Sequence, residues 1–467
     1  MPGLFQALEV GKRALLGHQV SMQTIGHNIA NASTPGYTRQ RVTMTTTAPE
    51  VTTYGSIGSG LKVDDIRQVK DLFLGQQYRD AQKDQGRWTY LNKTYTQIES
   101  IFSEPQDGSL NEVLDTFWNE WSALSSDAEN SGNRSSLIAS ANQLINSFAE
   151  LANSLTDLQE ATDQDLESMT AEVNSISDEI SRLNQQIVTN ELDGSSANDL
   201  RDKRDLLLDQ LASLIDVNTH EQSNGSMSVY MGSMLLVDGP DSFDIDAKAE
   251  RDGENVTHRL VWQGTEFELT NKNGQMAGLL ETRDEIIPDY LDQLNKLSRT
   301  IVEQVNTLHM SGYGLDGTTG VAFFDPNFTD AHELRLNQQI VEDKNMIAAS
   351  NSANIDDRSN GDIAALLADL RNTKVLSSDT ATINEYYVSF VANMGVEARE
   401  ADSFDSNYEL VSQQIDNQRQ SVEGVSLDEE MANLIAAQHA FEAASRLITA
   451  MDEALDTVIY RMGVVGT

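Results

Sequence analysis

The stretch Ser426–Met462, SLDEEMANLIAAQHAFEAASRLITAMDEALDTVIYRM, decides how the rest of the chain is read. Leu427, Leu434, Phe441, Ile448, Leu455 and Met462 recur every seven residues. Ala437, Ala444, Met451 and Val458 form a second row three positions on. Two apolar rows held over about five heptads predict a helix that packs lengthwise on another helix. Ser426 and Glu429 have the spacing of a capping box, which sets its start. At about 1.5 Å per residue it would be roughly 54 Å long. Such a seam needs a partner, from the other end of the chain, a second copy or a different protein.

The N-terminal segment Leu4–Asn31 carries a weaker version of the same pattern. Leu8, Leu15, Met22 and Ile29 are seven apart, with Leu4 and Ile25 in the other row, which Gly11 and His18 interrupt. The pattern stops at Asn31-Ala32-Ser33-Thr34-Pro35-Gly36, where polar residues and a Pro-Gly pair end a helix. Residues 1–36 and 425–467 are therefore expected to pair as a terminal coiled-coil domain, with the remainder inserted between them.

The expected fold is mainly α: terminal coiled-coil helices plus an elongated helical-bundle domain with a small inserted β domain. Residues 37–65 lean towards β and read as an extended linker, with a flexible turn at Gly55–Gly60. Residues 66–216, 276–310 and 361–424 make the helical bundle. Within it Leu166, Met169, Val173, Ile176, Ile180, Leu183 and Ile187 step by three and four. Asp193-Gly194 turns the chain into a return helix with Leu200, Leu207, Leu211 and Leu214. Pro288 is expected to kink or break the helix that follows the β domain. Residues 217–275 alternate short β patterns with Gly, Asn and Asp turns, and residues 311–360 are loop-rich.

Charge is the outlying bulk property. The 467 residues hold 32 basic and 73 acidic side chains, a net charge of −41. The first 100 contain 11 basic and 8 acidic, so the remainder carries −44. Such a surface repels phosphate backbones and argues against nucleic-acid binding. There is no cysteine, which removes disulfides, thiol catalysis and Cys-ligated zinc. No cleaved signal peptide and no membrane span is visible.

Motifs for chemistry are missing. The seven histidines, His18, His27, His220, His258, His309, His332 and His439, include no H-x-x-x-H pair, so a zinc site is not expected. Asp241, Asp244 and Asp246 lack the calcium-loop pattern. No G-x-S-x-G elbow occurs. No cofactor, metal or catalytic residue is expected. A secreted hydrolase using two of the many carboxylates is the alternative from another class.

The run from Ile25-Gly26-His27-Asn28-Ile29-Ala30-Asn31 through Thr34-Pro35-Gly36-Tyr37-Thr38-Arg39-Gln40 resembles the N-terminal signature of flagellar rod, hook and hook-associated proteins. Its wording is most similar to the hook-associated protein 1 family. Further likenesses follow in order: Gly58–Val63, Asp71–Leu74, Asn198–Asp205, His309–Gly317, Ile347–Ser350 and Val425–Leu434. Another flagellar axial protein is the nearer alternative. The resemblance implies a non-enzymatic structural protein, exported unfolded by the flagellar type III apparatus. It implies self-assembly into a ring between the hook protein and the second hook–filament junction protein. It also implies a cytoplasmic export chaperone at the C-terminal region and a final place outside the cell. On this reading Leu8, Leu15, Met22, Ile25, Ile29, Leu427, Leu434, Phe441, Ile448, Met451, Leu455 and Met462 form the assembly interface. Asn28, Asn31, Pro35, Gly36 and Tyr37 shape the exit from the first helix. An ordinary intramolecular coiled coil explains the same seams, and a plain helix stop explains the signature.

Overall fold

The computed structural model describes residues 2–52, 55–102, 108–252, 255–357 and 359–461. Helix α1 (Pro2–Asn31) runs unbroken and ends before Gly36, whose φ of +73° needs a glycine. The expected linker is a two-stranded sheet. Strand β1 (Gln40–Thr46) pairs antiparallel with β4 (Leu61–Gln68), and the short strands β2 (Glu50–Thr52) and β3 (Gly55–Ile57) lie between them. Val42, Met44, Leu61 and Val63 are half-buried, while Arg41, Thr43, Lys62 and Asp64 face out. The helix expected from residue 66 begins later, because Ile66 pairs with Val42 and Asp71 caps the next helix by accepting from the Phe73 and Leu74 amides.

Helix α2 (Leu72–Phe102) is followed by α3 (Leu110–Ser126) and α4 (Ser131–Asn190). With 60 residues, α4 is about 90 Å long and is the spine of the molecule. Asn130 caps it, its Oδ1 accepting from Gly132 N at 2.8 Å and Asn133 N at 3.3 Å. The turn at Gly194 leads into α5 (Asn198–Leu214). The first half of α4 joins α3 around Phe117, Trp118, Trp121, Leu144 and Phe148, all buried. Its second half, through Leu166, Val173 and Ile180, holds the β domain.

That domain contains a sheet in the order β5 (Val217–Glu221), β6 (Met227–Met231), β7 (Met234–Asp238) and β8 (Asp241–Ser242), plus a hairpin of β9 (Ile245–Asp252) and β10 (Asn255–Trp262). Side-chain amides on α4 clamp its backbone. Asn174 bonds both N and O of Ile245, and Asn184 bonds N and O of Met227 and O of Gly239. At the other end of the domain His258 Nδ1 lies 2.6 Å from Asp163, which also takes Arg283 Nη1 at 2.7 Å.

The expected break at Pro288 is absent. Helix α6 (Gln275–Glu281) passes through a π turn, Thr282–Ile286, into α7 (Ile287–Ser311). Pro288 sits in the first turn of α7, just beyond that widened turn, where a missing N–H is tolerated. The loop-rich segment, with α8 (Gln338–Glu342), folds over the core through Phe323, Phe324 and Ile347. The last bundle segment, expected over residues 361–424, holds two α-helices. Helix α9 (Asp362–Asp369) stops early, and the chain turns through Ser377, Ser378 and Asp379 at positive φ. Helix α10 (Ile383–Glu423) then starts at a capping box formed by Thr382 and Glu385. It packs along α2 and leads to α11 (Leu427–Asp456).

His309 ties α7 to the overlying loops. Its Nδ1 donates to Val321 O at 2.7 Å, and Nε2 accepts from Ala348 N at 2.9 Å. Burial lowers its pKa to about 4. The unfolded chain therefore takes up the proton first, and stability falls as pH drops from about 6.5 to about 4. In urea unfolding followed by tryptophan fluorescence, the wild type should lose up to roughly 3 kcal/mol more than His309→Gln between pH 7 and 4. Equal losses would contradict a neutral buried imidazole.

Candidate functional site: the terminal helix pair and its joint

Helices α1 and α11 run antiparallel along each other. Two contacts set the register. A Cβ on Gly11 would lie 2.9 Å from Ile448 Cγ1, and Asn28 Nδ2 donates to Glu430 Oε2 at 2.9 Å. Gly11, which interrupts the sequence pattern, is thus a point of close helix approach. On its other side α1 meets the β1–β4 sheet, where a Cβ on Gly17 would come 2.6 Å from Leu61 Cδ1.

The row of α11 that faces α1 most directly is Glu430, Ala437 and Ala444, all buried. Met451 continues it, half-buried. Leu434, Phe441, Ile448 and Leu455 lie beside that row and are half-buried, whereas Leu427 is 52% exposed. Met462 lies outside the described residues. On α1, Ile25 is buried and Leu8, Leu15, Met22 and Ile29 are half-buried. The expected capping box at Ser426 is half made. Ser426 accepts from Glu429 N at 3.5 Å, but the Glu429 carboxylate takes Arg39 Nη1 at 2.8 Å instead.

The signature residues meet at the joint between this pair and the helical body. Asn28 is 1% exposed, and its amide makes four hydrogen bonds. Nδ2 donates to Glu430 and to Gln40 O at 2.9 Å. Oδ1 accepts from Tyr37 Oη at 2.8 Å and Gln40 N at 3.0 Å. This fills the capacity of a primary amide. Tyr37 also meets His27 Nδ1 at 3.0 Å, and burial, with Asp199, Asp202 and Glu430 nearby, raises its phenol pKa. Asn31 Nδ2 donates to His27 O at 3.0 Å, while Pro35 and Gly36 are exposed and line the joint.

Four aspartates on one face of α5 receive the incoming segments. Asp199 takes Gln40 Nε2 at 2.8 Å, and Asp202 takes Thr38 N at 3.0 Å and Gln68 Nε2 at 2.7 Å. Asp205 pairs with Lys70, and Asp209 takes Arg419 Nη1 at 2.6 Å. Burial pushes Asp202 up to about 6 against the hydrogen bonds from Thr38. The three chain crossings are also tied together, Arg39 N to Glu423 O at 2.8 Å, Val69 N to Arg39 O at 2.8 Å and Asp71 N to Glu423 Oε1 at 3.0 Å. A cleft of about 510 Å³ opens between the signature loop, α5 and the end of α10. In the sequence, Asn198–Asp205 stands out only by its likeness to the family. The spacing of Asp199, Asp202, Asp205 and Asp209 is the signal that would have found the receptor face.

Aligned over the full length of both, the chain is 30% identical to flagellar hook-associated protein 1 of Bacillus subtilis (strain 168). The chain belongs to the flagellar hook-associated protein 1 family. A family model described as the flagellar hook-associated protein FlgK helical domain matches residues 95–324, and one described as the flagellar basal body rod FlgEFG protein C-terminal matches 412–460. The family member from Escherichia coli (strain K12) is 22% identical, with 94% of this chain and 97% of the other covered. That from Salmonella typhimurium is 26% identical over 66% of this chain and 57% of the relative. The solved structure of the flagellar hook junction protein FlgK from Burkholderia pseudomallei has the same fold, with a TM-score of 0.63, 15% identity, and 74% of this chain and all of the other covered. The hook-associated protein 1 family is structural rather than enzymatic. No described helix is long and apolar enough to cross a membrane, and the described residues hold no group of three or more His, Asp or Glu placed to bind a metal.

Asn28→Ala removes four hydrogen bonds and leaves Glu430 buried without its amide partner, a loss of about 2–4 kcal/mol to the terminal pair. Trypsin cleavage at Arg446 of α11 should then accelerate roughly 30-fold or more, since cleavage follows the population of the opened helix. The tryptophan-monitored unfolding of the body should not change.

Proposed function

We propose that this chain is a structural subunit of the adapter ring that joins hook to filament. It is exported unfolded by the flagellar type III apparatus and assembles outside the cell through its terminal helices. The observation that carries this reading is the apolar surface that the helix pair leaves open. Leu427, Met431 and Ile435 stand one turn apart on α11, 52%, 50% and 51% exposed. Phe5 and Leu16, 58% and 49% exposed, stand three turns apart on α1. Apolar residues at helical spacing on a paired helix are a surface for further helices.

Along α11 the same line continues in polar residues, Gln438, Ser445 and Asp452, all exposed. They interrupt the apolar line that begins at Leu427 and help to keep a free subunit from self-associating. Leu8, Leu15, Met22, Ile25 and Ile29 with Leu434, Phe441, Ile448, Met451 and Leu455 close the pair, and neighbouring pairs complete their burial. The hook protein on one side and the second junction protein on the other are the axial partners. A cytoplasmic chaperone covers the C-terminal region before export. Absence of cysteine suits a chain that leaves a reducing compartment unfolded and folds outside without an oxidation step.

A deletion strain should be non-motile, carry hooks without filaments, and release filament protein into the medium. Electron microscopy showing ordinary filaments on its hooks would overturn the junction assignment.

A further inference from the structure

A second cleft, of about 260 Å³, lies where β4 and the start of α2 meet α5. Its lining runs against the acidic trend of the molecule. Arg67, Lys70, Arg79, Arg201 and Arg204 contribute to it, against Asp205 and Glu221. Most of this charge is met locally. Arg67 pairs with Asp65, Lys70 with Asp205, Arg79 with Asp209 at 3.5 Å, and Arg201 with Glu191 and Glu221.

Arg204 is the exception. It is 1% exposed and forms no ion pair among the described residues. Its Nη1 donates to Asn184 Oδ1 at 3.0 Å and Gly225 O at 2.7 Å, and its buried Nε has no partner. Arg79 Nε is likewise buried and unpartnered. A buried guanidinium nitrogen without an acceptor is costly. Ser196 and Asn198, at the N-terminal end of α5, also line the cleft, where Asp65 accepts from Ser196 Oγ and Glu191 Oε1 accepts from Ala197 N at 2.9 Å. Leu72, 70% exposed, also lines the cleft, with Phe73, 68% exposed, next to it in sequence.

We propose that this cleft is a receptor for a carboxylate side chain presented by a second copy of this chain, with Leu72 as an apolar rim. The choice of occupant follows from charge. Two subunits of net charge −41 repel, so a lateral contact needs a place where one copy's surface carboxylates meet unspent donors. The volume admits one acidic side chain rather than a folded element. The site rests on the proposed packing of copies in a ring, and it adds a lateral contact on the body, away from the terminal seams.

Sodium sulfate, titrated at constant ionic strength into the purified full-length subunit, should raise the wild-type melting temperature to a plateau. That saturable part should vanish in Leu72→Glu, which supplies a carboxylate within the same chain, and shrink in Arg67→Gln. Both positions are exposed, so folding is preserved. In deletion cells, Leu72→Glu should restore filaments to about tenfold fewer cells than Leu72→Gln, which has similar size without the charge, as expected for loss of roughly 1.4 kcal/mol. No saturable response in the wild type overturns the site and leaves the junction role standing. A saturable response with equal filament numbers for the two variants overturns the subunit contact and leaves a small-anion site only.

Discussion

The buried amide of Asn28 is the constraint on which the arrangement of the chain ends depends. It holds the backbone of Gln40, the phenol of Tyr37 and the carboxylate of Glu430, so one side chain fixes α1, the exit loop, β1 and α11 together. The apolar seam does not do this alone. Its most buried positions on α11 are two alanines and a glutamate, and α1 approaches Ile448 closely at a glycine. Small residues permit close packing but remove little apolar surface from water. The polar hub therefore sets direction and register, while the seam supplies contact along the length.

The α5 aspartates extend the same logic to the body. Between them they bind three segments, so residues 38–40 and 68–70 and the end of α10 are located relative to one helix. The body has two deep cores, on the two halves of α4, and its β domain is clamped through backbone-reading asparagines. Burial is thus unequal along the molecule. The body closes its deep cores within one chain, though Leu72 and Phe73 stay at its surface, and the terminal pair is held in place but left with little deep burial.

Much of this was legible in the sequence. The heptad rows gave both terminal helices, and the three-and-four stepping of Leu166–Ile187 gave the second half of α4. The β domain followed from its alternating runs and turns. Other features were not legible for physical reasons. The β1–β4 sheet joins residues about twenty apart, and a β-leaning pattern does not say what an extended segment pairs with. The seam is rotated because heptads identify apolar residues but not which of two rows faces the partner. Gly11 looked like an interruption because its packing role depends on how close the partner lies. The Thr382–Glu385 box starts a separate helix within the last bundle segment and carries a readable signal that the apolar period obscured. The joint was hidden because aspartates on a strongly acidic chain resemble solvated surface, and only the fold shows which four have donors opposite them.

The central claim is that the terminal pair completes its packing only when copies assemble, while the body does not change. Hydrogen exchange measured by mass spectrometry, on the purified subunit and on isolated hook–filament junctions, tests it directly. The account predicts fast exchange in α1 and α11 of the free subunit, strong protection of both in the junction, and equal protection of α3, α4 and α7 in the two states. Full protection of α1 and α11 in the dilute subunit, unchanged on assembly, would contradict it and make the pair an ordinary intramolecular coiled coil.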